Sequence, residues 1–280
     1  MHLQIIIGSS KLARIPPLAS RINKLTGSRH FSSTPPVRSL AGTVAPHHSY
    51  FLLHTHRPPR EYPARSKSPL LHALTRHALS WGGLVNFSWS EQQAVHPGYV
   101  GLGEAEGEQE VYRATAFSHA GGCIDIPEVS LANVGSVAKT LYSHALGDLP
   151  ATTPDKSIDK LHLYVCTHGE RDCRCGDTGS EVAGALRKEI SRRGLTQDIS
   201  LGEVAHVGGH KYAANLLVFP FGDWLGMLQG IDAPAVLDEI LERRSQRAVE
   251  SLQSAPLCPP FWRGRMGLNK QDQIALHSRS

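Results

Sequence analysis

The tightest constraint on this chain is a pair of motifs built from metal-ligating side chains, each set just past an apolar run of strand length. Cys166 and Cys175 have eight residues between them and follow the apolar residues 161–165; His206 and His210 have three between them and follow residues 199–204. Thiolate and imidazole are ligand types of zinc, copper and iron–sulfur centres, so a fold that uses all four must run two strands side by side and release both loops at one end. Gly208 and Gly209 leave no side chain between the histidines, and Gly176 leaves none behind Cys175, which lets the backbone close around a bound group.

The residues around the motifs supply such a frame. A strand at 161–165 is followed by a helix over 180–193, with Val182, Leu186 and Ile190 on one face and Gly194 as its stop. Then come a strand at 199–204, a hairpin whose arms 216–220 and 224–228 flank Phe221-Gly222-Asp223, and a helix opening at Asp232 with Pro234 in its first turn. The resulting β-α-β-β-β-α order, a parallel pair joined by a helix and then an antiparallel hairpin, is that of a thioredoxin-like core. Upstream, strands at 50–55, 84–89 and 111–117 and helices over 70–84 and 129–146 predict a smaller α/β unit. Residues 96–110, rich in Gly and Glu, read as a solvated loop, and residues 147–155 as a linker. The chain thus divides into a lead-in at 1–45, an N-terminal α/β domain at 46–150, a second domain at 157–250 and a tail at 251–280. The tail, with Pro256, Pro259, Pro260, Phe261 and Trp262, is expected along the domain surface.

The formal net charge of +4 is unevenly placed. No Asp or Glu precedes Glu61, whereas Lys11, Arg14, Arg21, Lys24 and Arg29 punctuate a start that contains Leu3, Ile5, Ile6, Ile7 and Leu12. This is how a mitochondrial transit peptide reads, and Arg29-His30-Phe31-Ser32-Ser33 puts the processed start near Ser32, with the matrix as the expected location. Removing residues 1–31 takes away five cations and no acid, turning +4 into −1, so the basicity that would favour nucleic acid goes with it. Residues 34–48, with Pro35, Pro36 and Pro46, read as a lead-in without order. No apolar run approaches the roughly 20 residues that span a bilayer. Five cysteines, three of them within residues 166–175, do not form a secreted disulfide framework. No nucleotide-binding Gly loop and no nucleophile with a base beside it is present, so bond-changing catalysis is not expected.

At the two motifs the chain resembles the sucrase/ferredoxin-like family. The resemblance is carried by Cys166, Arg171-Asp172, Arg174 and Cys175-Gly176, then by His206, Gly208, Gly209, His210, Lys211, Tyr212 and Ala213, and by Gly222-Asp223-Trp224-Leu225-Gly226. It is strong over residues 158–249 and weaker at 49–63, 82–90 and 126–134. It implies an α/β fold in which a thioredoxin-like ferredoxin domain is preceded by a smaller, degenerate thioredoxin-like domain. It also implies one [2Fe-2S] cluster per chain, held by Cys166, Cys175, His206 and His210, with Cys173 as a spare thiol. The implied work is one-electron transfer in mitochondrial redox homeostasis, with an unidentified redox partner protein. Two neutral imidazoles in place of thiolates raise the potential above that of an all-cysteine plant-type cluster, and a ring nitrogen facing solvent makes the potential fall as pH rises.

Two other readings use the same residues. A Cys2His2 set also suits structural zinc, which would make the chain a zinc-stabilised binding module, although classical zinc pairs lie closer together than Cys-x8-Cys. Cys166, Cys173 and Cys175 beside Arg171 and Arg174 would also serve a thiol oxidoreductase, but without the Cys-x-x-Cys spacing. His168 reads as a solvated loop histidine with no role, Arg171 and Asp172 as an ion pair that fixes the loop, and Trp224 as core.

Overall fold

Ser68 followed by Pro69 is a helix start written in two residues: the serine oxygen accepts from the Leu71 N–H at 2.9 Å, and proline at the first helical position gives up a donor that has no partner there anyway. Helix α1 (Pro69–Leu79) joins strand β1 (Ser49–His54) to its parallel neighbour β2 (Gly83–Trp89). Strand β3 (Val111–Ser118) returns antiparallel to β1, β4 (Gly122–Ser130) lies antiparallel to β3, and α2 (Val134–Leu146) closes the half. The structure, a computed structural model, describes residues 31–34, 36, 38–99, 110–148, 160–246 and 252–280. The transit segment up to residue 30, the loop at 100–109 and most of the 147–155 linker lie outside them.

The second half repeats the scheme. Strands β5 (Leu161–Cys166) and β6 (Ile199–Val204) are parallel and joined by α3 (Cys173–Arg192). Strand β7 (Leu216–Phe219) is antiparallel to β5, β8 (Asp223–Leu225) is antiparallel to β7, and α4 (Ala233–Ser245) follows. Each half is therefore a complete β-α-β-β-β-α unit, and the two meet edge to edge where Ser88 and Trp89 of β2 pair with Val204 and Glu203 of β6. All strands form one mixed sheet in the order β4-β3-β1-β2-β6-β5-β7-β8-β9, the last being β9 (Trp262–Arg265).

Alternation along the central strands explains the layering. Phe51 and Leu53 face α1 and α2, while Leu161, Leu163 and Val165 face α3 and α4. The intervening Tyr50, Leu52, Tyr164 and Cys166 point to a shared core between the halves, closed by Phe117 stacked on Phe219 at 4.1 Å. Every residue of β1 is buried, as expected of a strand covered on both faces.

Beyond shifted helix ends, with α1 stopping at Leu79 and α3 starting at Cys173, three stretches differ from the sequence reading. Strand β4 ends where the pattern predicts the start of a helix over 129–146; its Pro127 and flanking Gly121 and Gly122 hide it from a pattern search, and a proline is tolerated because β4 is an edge strand. Residues 38–48 are not without order: Leu40, Val44 and His47 are buried, and Thr43 donates its N–H to Arg263 O at 3.2 Å. The tail adds β9 to the sheet and ends in α5 (Lys270–His277). Asp223 fixes that strand, taking two hydrogen bonds from Arg265 at 2.8 and 3.0 Å and one from Trp262 Nε1 at 2.6 Å. Among the described residues no helix is long and apolar enough to cross a membrane.

Candidate metal centre

Helix α3 begins earlier than its apolar face suggests. Asp172 caps it, accepting from the Arg174 N–H at 3.1 Å, so Cys173 and Cys175 sit in the first helical turn and not in a loop. Cys175 turns inward and is buried; Cys173 is exposed. Cys166 ends β5 at the same level, and Gly179 lets the helix reach it, because a Cβ there would come 2.1 Å from Cys166 O.

The histidine loop leaves β6 after Val204, with Ala205 its first residue. Gly208 and Gly209 have φ of +81° and +67°, the left-handed conformation that glycine adopts without strain, and they turn the chain back on itself. The sulfurs of Cys166 and Cys175 and a ring nitrogen of His206 all lie within 4.8 Å of one another, with Cys175 Sγ 3.7 Å from His206 Nδ1. His210 stands on the following turn, its ring 6.0 Å from that of His206; it is half exposed and directs Nδ1 toward Asp172 Oδ2 at 3.6 Å. Three of the four predicted residues thus converge, and the fourth lies beside them outside that group.

Hydrogen bonding sets the order of ionisation of the thiols. Cys166 is held below the ordinary thiol range because it accepts from Cys175 and from the backbone N–H groups of Val207 and His168, which outweigh its burial. Cys175 is pushed up, chiefly because it donates to Cys166 and because it is buried. A buried sulfur that already collects two backbone N–H groups is arranged to carry negative charge.

Around the site the sequence reading gives His168 no role, pairs Asp172 with a different arginine and passes over Arg263. His168 is buried, not solvated. Its Nδ1 accepts from the His206 N–H at 3.4 Å and its Nε2 donates to Pro63 O at 3.1 Å, so a neutral ring braces the histidine loop against the first half. Desolvation lowers its pKa, in keeping with that neutral form. Asp172 pairs with Arg174, Oδ1 to Nε at 2.9 Å, and not with Arg171 as expected; that ion pair holds its carboxyl down at about 2. Arg263 of β9 is buried beneath the loop. It donates to Asn215 Oδ1 at 2.6 Å and Thr43 O at 2.9 Å and lies 4.4 Å over the Tyr212 ring. Burial lowers its pKa to about 10, against the pull of Tyr212 and Cys166. Asn215 and Thr43 are neutral acceptors, so among the described residues no carboxylate cancels the guanidinium charge, which interacts with Cys166. Nothing local marks His168 or Arg263, which act through contacts distant in sequence, whereas Asp172 finds its partner two residues on.

The donor set fits a soft or borderline metal centre: two thiols of which one is primed to ionise, an imidazole, and a second imidazole on the adjoining turn. Comparison with known proteins agrees with the motif resemblance. The protein named Altered inheritance of mitochondria protein 32 from Debaryomyces hansenii is 33% identical over 90 residues, 30% of this chain and 32% of its own length. Its namesake from Meyerozyma guilliermondii is 30% identical over 92 residues, 32% of this chain and 33% of its own. Actin patches distal protein 1 of Saccharomyces cerevisiae is 26% identical over 104 residues, 32% of this chain and 33% of its own. The chain spans about a third of the length of these relatives. Among solved structures, a thioredoxin-like [2Fe-2S] ferredoxin from Aquifex aeolicus is similar at a TM-score of 0.28 and 19% identity, over 33% of this chain and 87% of that one. The sequence profile described as sucrase/ferredoxin-like matches residues 40–264, and the chain belongs to that family.

Proposed function

We propose that this chain is a redox protein that carries a [2Fe-2S] cluster on Cys166, Cys175, His206 and His210 and serves one-electron transfer in mitochondria. The observation that carries the reading is the convergence of two buried sulfurs and a ring nitrogen within 4.8 Å at the ends of β5 and β6. Such a cluster takes up and returns a single electron without making or breaking bonds in a substrate. The chain's own residues would do the rest. Cys166 and Cys175 hold charge on the buried side, His206 and His210 stand toward solvent, and His168 and Arg263 fix the loop that bears them. The charge of Arg263 favours the more negative, reduced state and so raises the potential.

In this proposal residues 157–250 carry the centre, and residues 46–150 form the wall beside it. The mitochondrial location is supported by the names of the relatives and by the acid-free, Arg-punctuated residues 1–31, which would serve as an address for the matrix. The test is anaerobic purification followed by iron, sulfide and zinc analysis and an EPR spectrum of the reduced protein. About two irons and two sulfides per chain with a reduced-state signal are expected. A colourless protein with one zinc and no iron would overturn the reading in favour of a zinc-stabilised module.

A further inference from the structure

A cavity of about 660 Å³ opens between the two halves, against the outer side of the histidine loop. That is the size range of small-molecule sites. Its floor is apolar and aromatic: Tyr62 and Phe87 meet edge to face at 6.1 Å, and the Ala205 methyl group completes the surface. His206 forms the inner end.

The charge of the lining is one-sided. Arg65, Lys67 and Arg171 stand exposed at the mouth, and among the described residues none of them has an ion-pair partner. Among the described residues the lining has one acid, Glu110, and it is fully engaged inside the protein. Its Oε2 accepts from Ser68 Oγ at 2.9 Å and the Leu70 N–H at 3.0 Å, and its Oε1 accepts from the Tyr112 hydroxyl. Glu110 is therefore spent on the start of α1 and does not neutralise the mouth. An apolar aromatic floor beneath three cations that have no ion-pair partner among the described residues suits a planar ring that bears an anionic group.

We propose that this cleft binds a small aromatic anion, with its ring over Tyr62 and Phe87, its phosphate or carboxylate among Arg65, Lys67 and Arg171, and one edge against His206. The binding itself does not depend on what His206 ligates. Only its consequence rests on the cluster reading: an occupant of the cleft touches a cluster ligand and so perturbs the visible spectrum.

The probe is flavin mononucleotide, titrated into the full chain and followed by quenching of flavin fluorescence, with riboflavin as the same ring lacking the anion. Saturable quenching is expected, roughly tenfold tighter for flavin mononucleotide than for riboflavin, as expected of a phosphate held by several exposed cations. The double variant Arg65→Glu and Lys67→Glu, at two exposed positions outside the metal centre, is expected to erase that tenfold preference and leave riboflavin binding unchanged. Absence of saturable quenching, equal affinity for the two flavins, or a preference that survives charge reversal each overturns the proposal. Iron analysis on the same sample separates the two readings: iron without flavin binding sinks the cleft alone, and charge-selective flavin binding without iron sinks the cluster alone.

Discussion

His54 and Cys166 hold the same place in the two halves of the sheet. Each is the last residue of the strand that opens a β-α-β-β-β-α unit, and each is registered against the parallel neighbour, His54 with Ser88 and Cys166 with Val204. In the first half the protein uses up the side chain: His54 Nδ1 donates to Ala94 O at 2.9 Å and Nε2 lies 2.9 Å from Thr115 Oγ1. In the second half Cys166 faces Cys175 and His206 instead. The helices that follow differ in the same sense. Counted from their caps, Ser68 and Asp172, α1 has Leu71 where α3 has Cys175. The topology alone therefore makes no metal centre. The candidate site arises where the strand ends bring soft ligand atoms together, Cys166 beside Cys175 and His206, and the first half keeps the frame with a histidine whose two ring nitrogens are taken up by Ala94 and Thr115.

The sharpest way to break the comparison is to remove one imidazole from each half. If the proposed cluster is present, His206→Ala is expected to take iron from about two per chain to near zero and to bleach the visible absorbance, because the cluster would lose a ligand. His54→Gln is expected to keep full iron. If both variants lose iron equally, the first half is a part of the centre and not a buttress to it.

A second difference between the positions lies in their response to acid. Burial holds the His54 pKa down at about 4, with the Ala94 carbonyl and Asp125 pulling it up and Arg113 reinforcing the drop. A folded-state value below the ordinary 6.5 means that the neutral ring stabilises the fold above pH 6.5 and that this contribution is lost as pH falls toward 4. The size is up to about 3 kcal/mol. His47 and His162, also lowered to about 4 by burial, bend the curve in the same window. Urea unfolding followed by tryptophan fluorescence should show His54→Gln losing up to about 3 kcal/mol less than the parent chain between pH 6.5 and 4. Superimposed curves would mean that His54 is not held neutral by its surroundings.

The second half was largely legible in the sequence because its signals are local. Apolar runs mark β5, β6 and β7, each to within one residue at either end, and the Cys and His spacing marks the four candidate ligands. The first turn of α3 was not legible: Gly176 and Gly179 lower helix propensity, and only the contact between Gly179 and Cys166 explains why the turn forms. Apart from the local pairing of Asp172 with Arg174, the remaining gaps depend on pairings between segments distant in sequence. Arg263 reaches Thr43, Val44 is buried against the far end of the chain, and His168 is tied to Pro63. Periodicity within a window carries no information about such contacts. The completeness of the first half was hidden for a related reason, since β4 contains a proline that only its edge position makes acceptable.

The smallest effect tests how closely helix and strand must approach in the half that holds the candidate centre. Counted from the caps again, α1 has Thr75, whose hydroxyl bonds to Leu71 O, where α3 has Gly179 lying on Cys166 O. Helix α3 can thus sit nearer to its strand than α1 does, which brings Cys175 to Cys166. Gly179→Ala would put a methyl group 2.1 Å from a backbone oxygen, which cannot swing aside as a side-chain tip can. The cost of such overpacking is about 1–3 kcal/mol, and it exceeds the gain of about 1 kcal/mol that alanine brings to a helix interior. Gly184, exposed on the same helix where an added methyl group would meet nothing within 4 Å, supplies the control. Gly184→Ala should stabilise by about 0.8–1 kcal/mol in thermal or urea unfolding and leave iron unchanged. Gly179→Ala should destabilise and lower the iron retained. The same chemical change with opposite signs on one helix would locate the constraint at the crossing with Cys166; a gain in stability at both positions would show that α3 has room to spare there, and that the proximity of the two thiols has another cause.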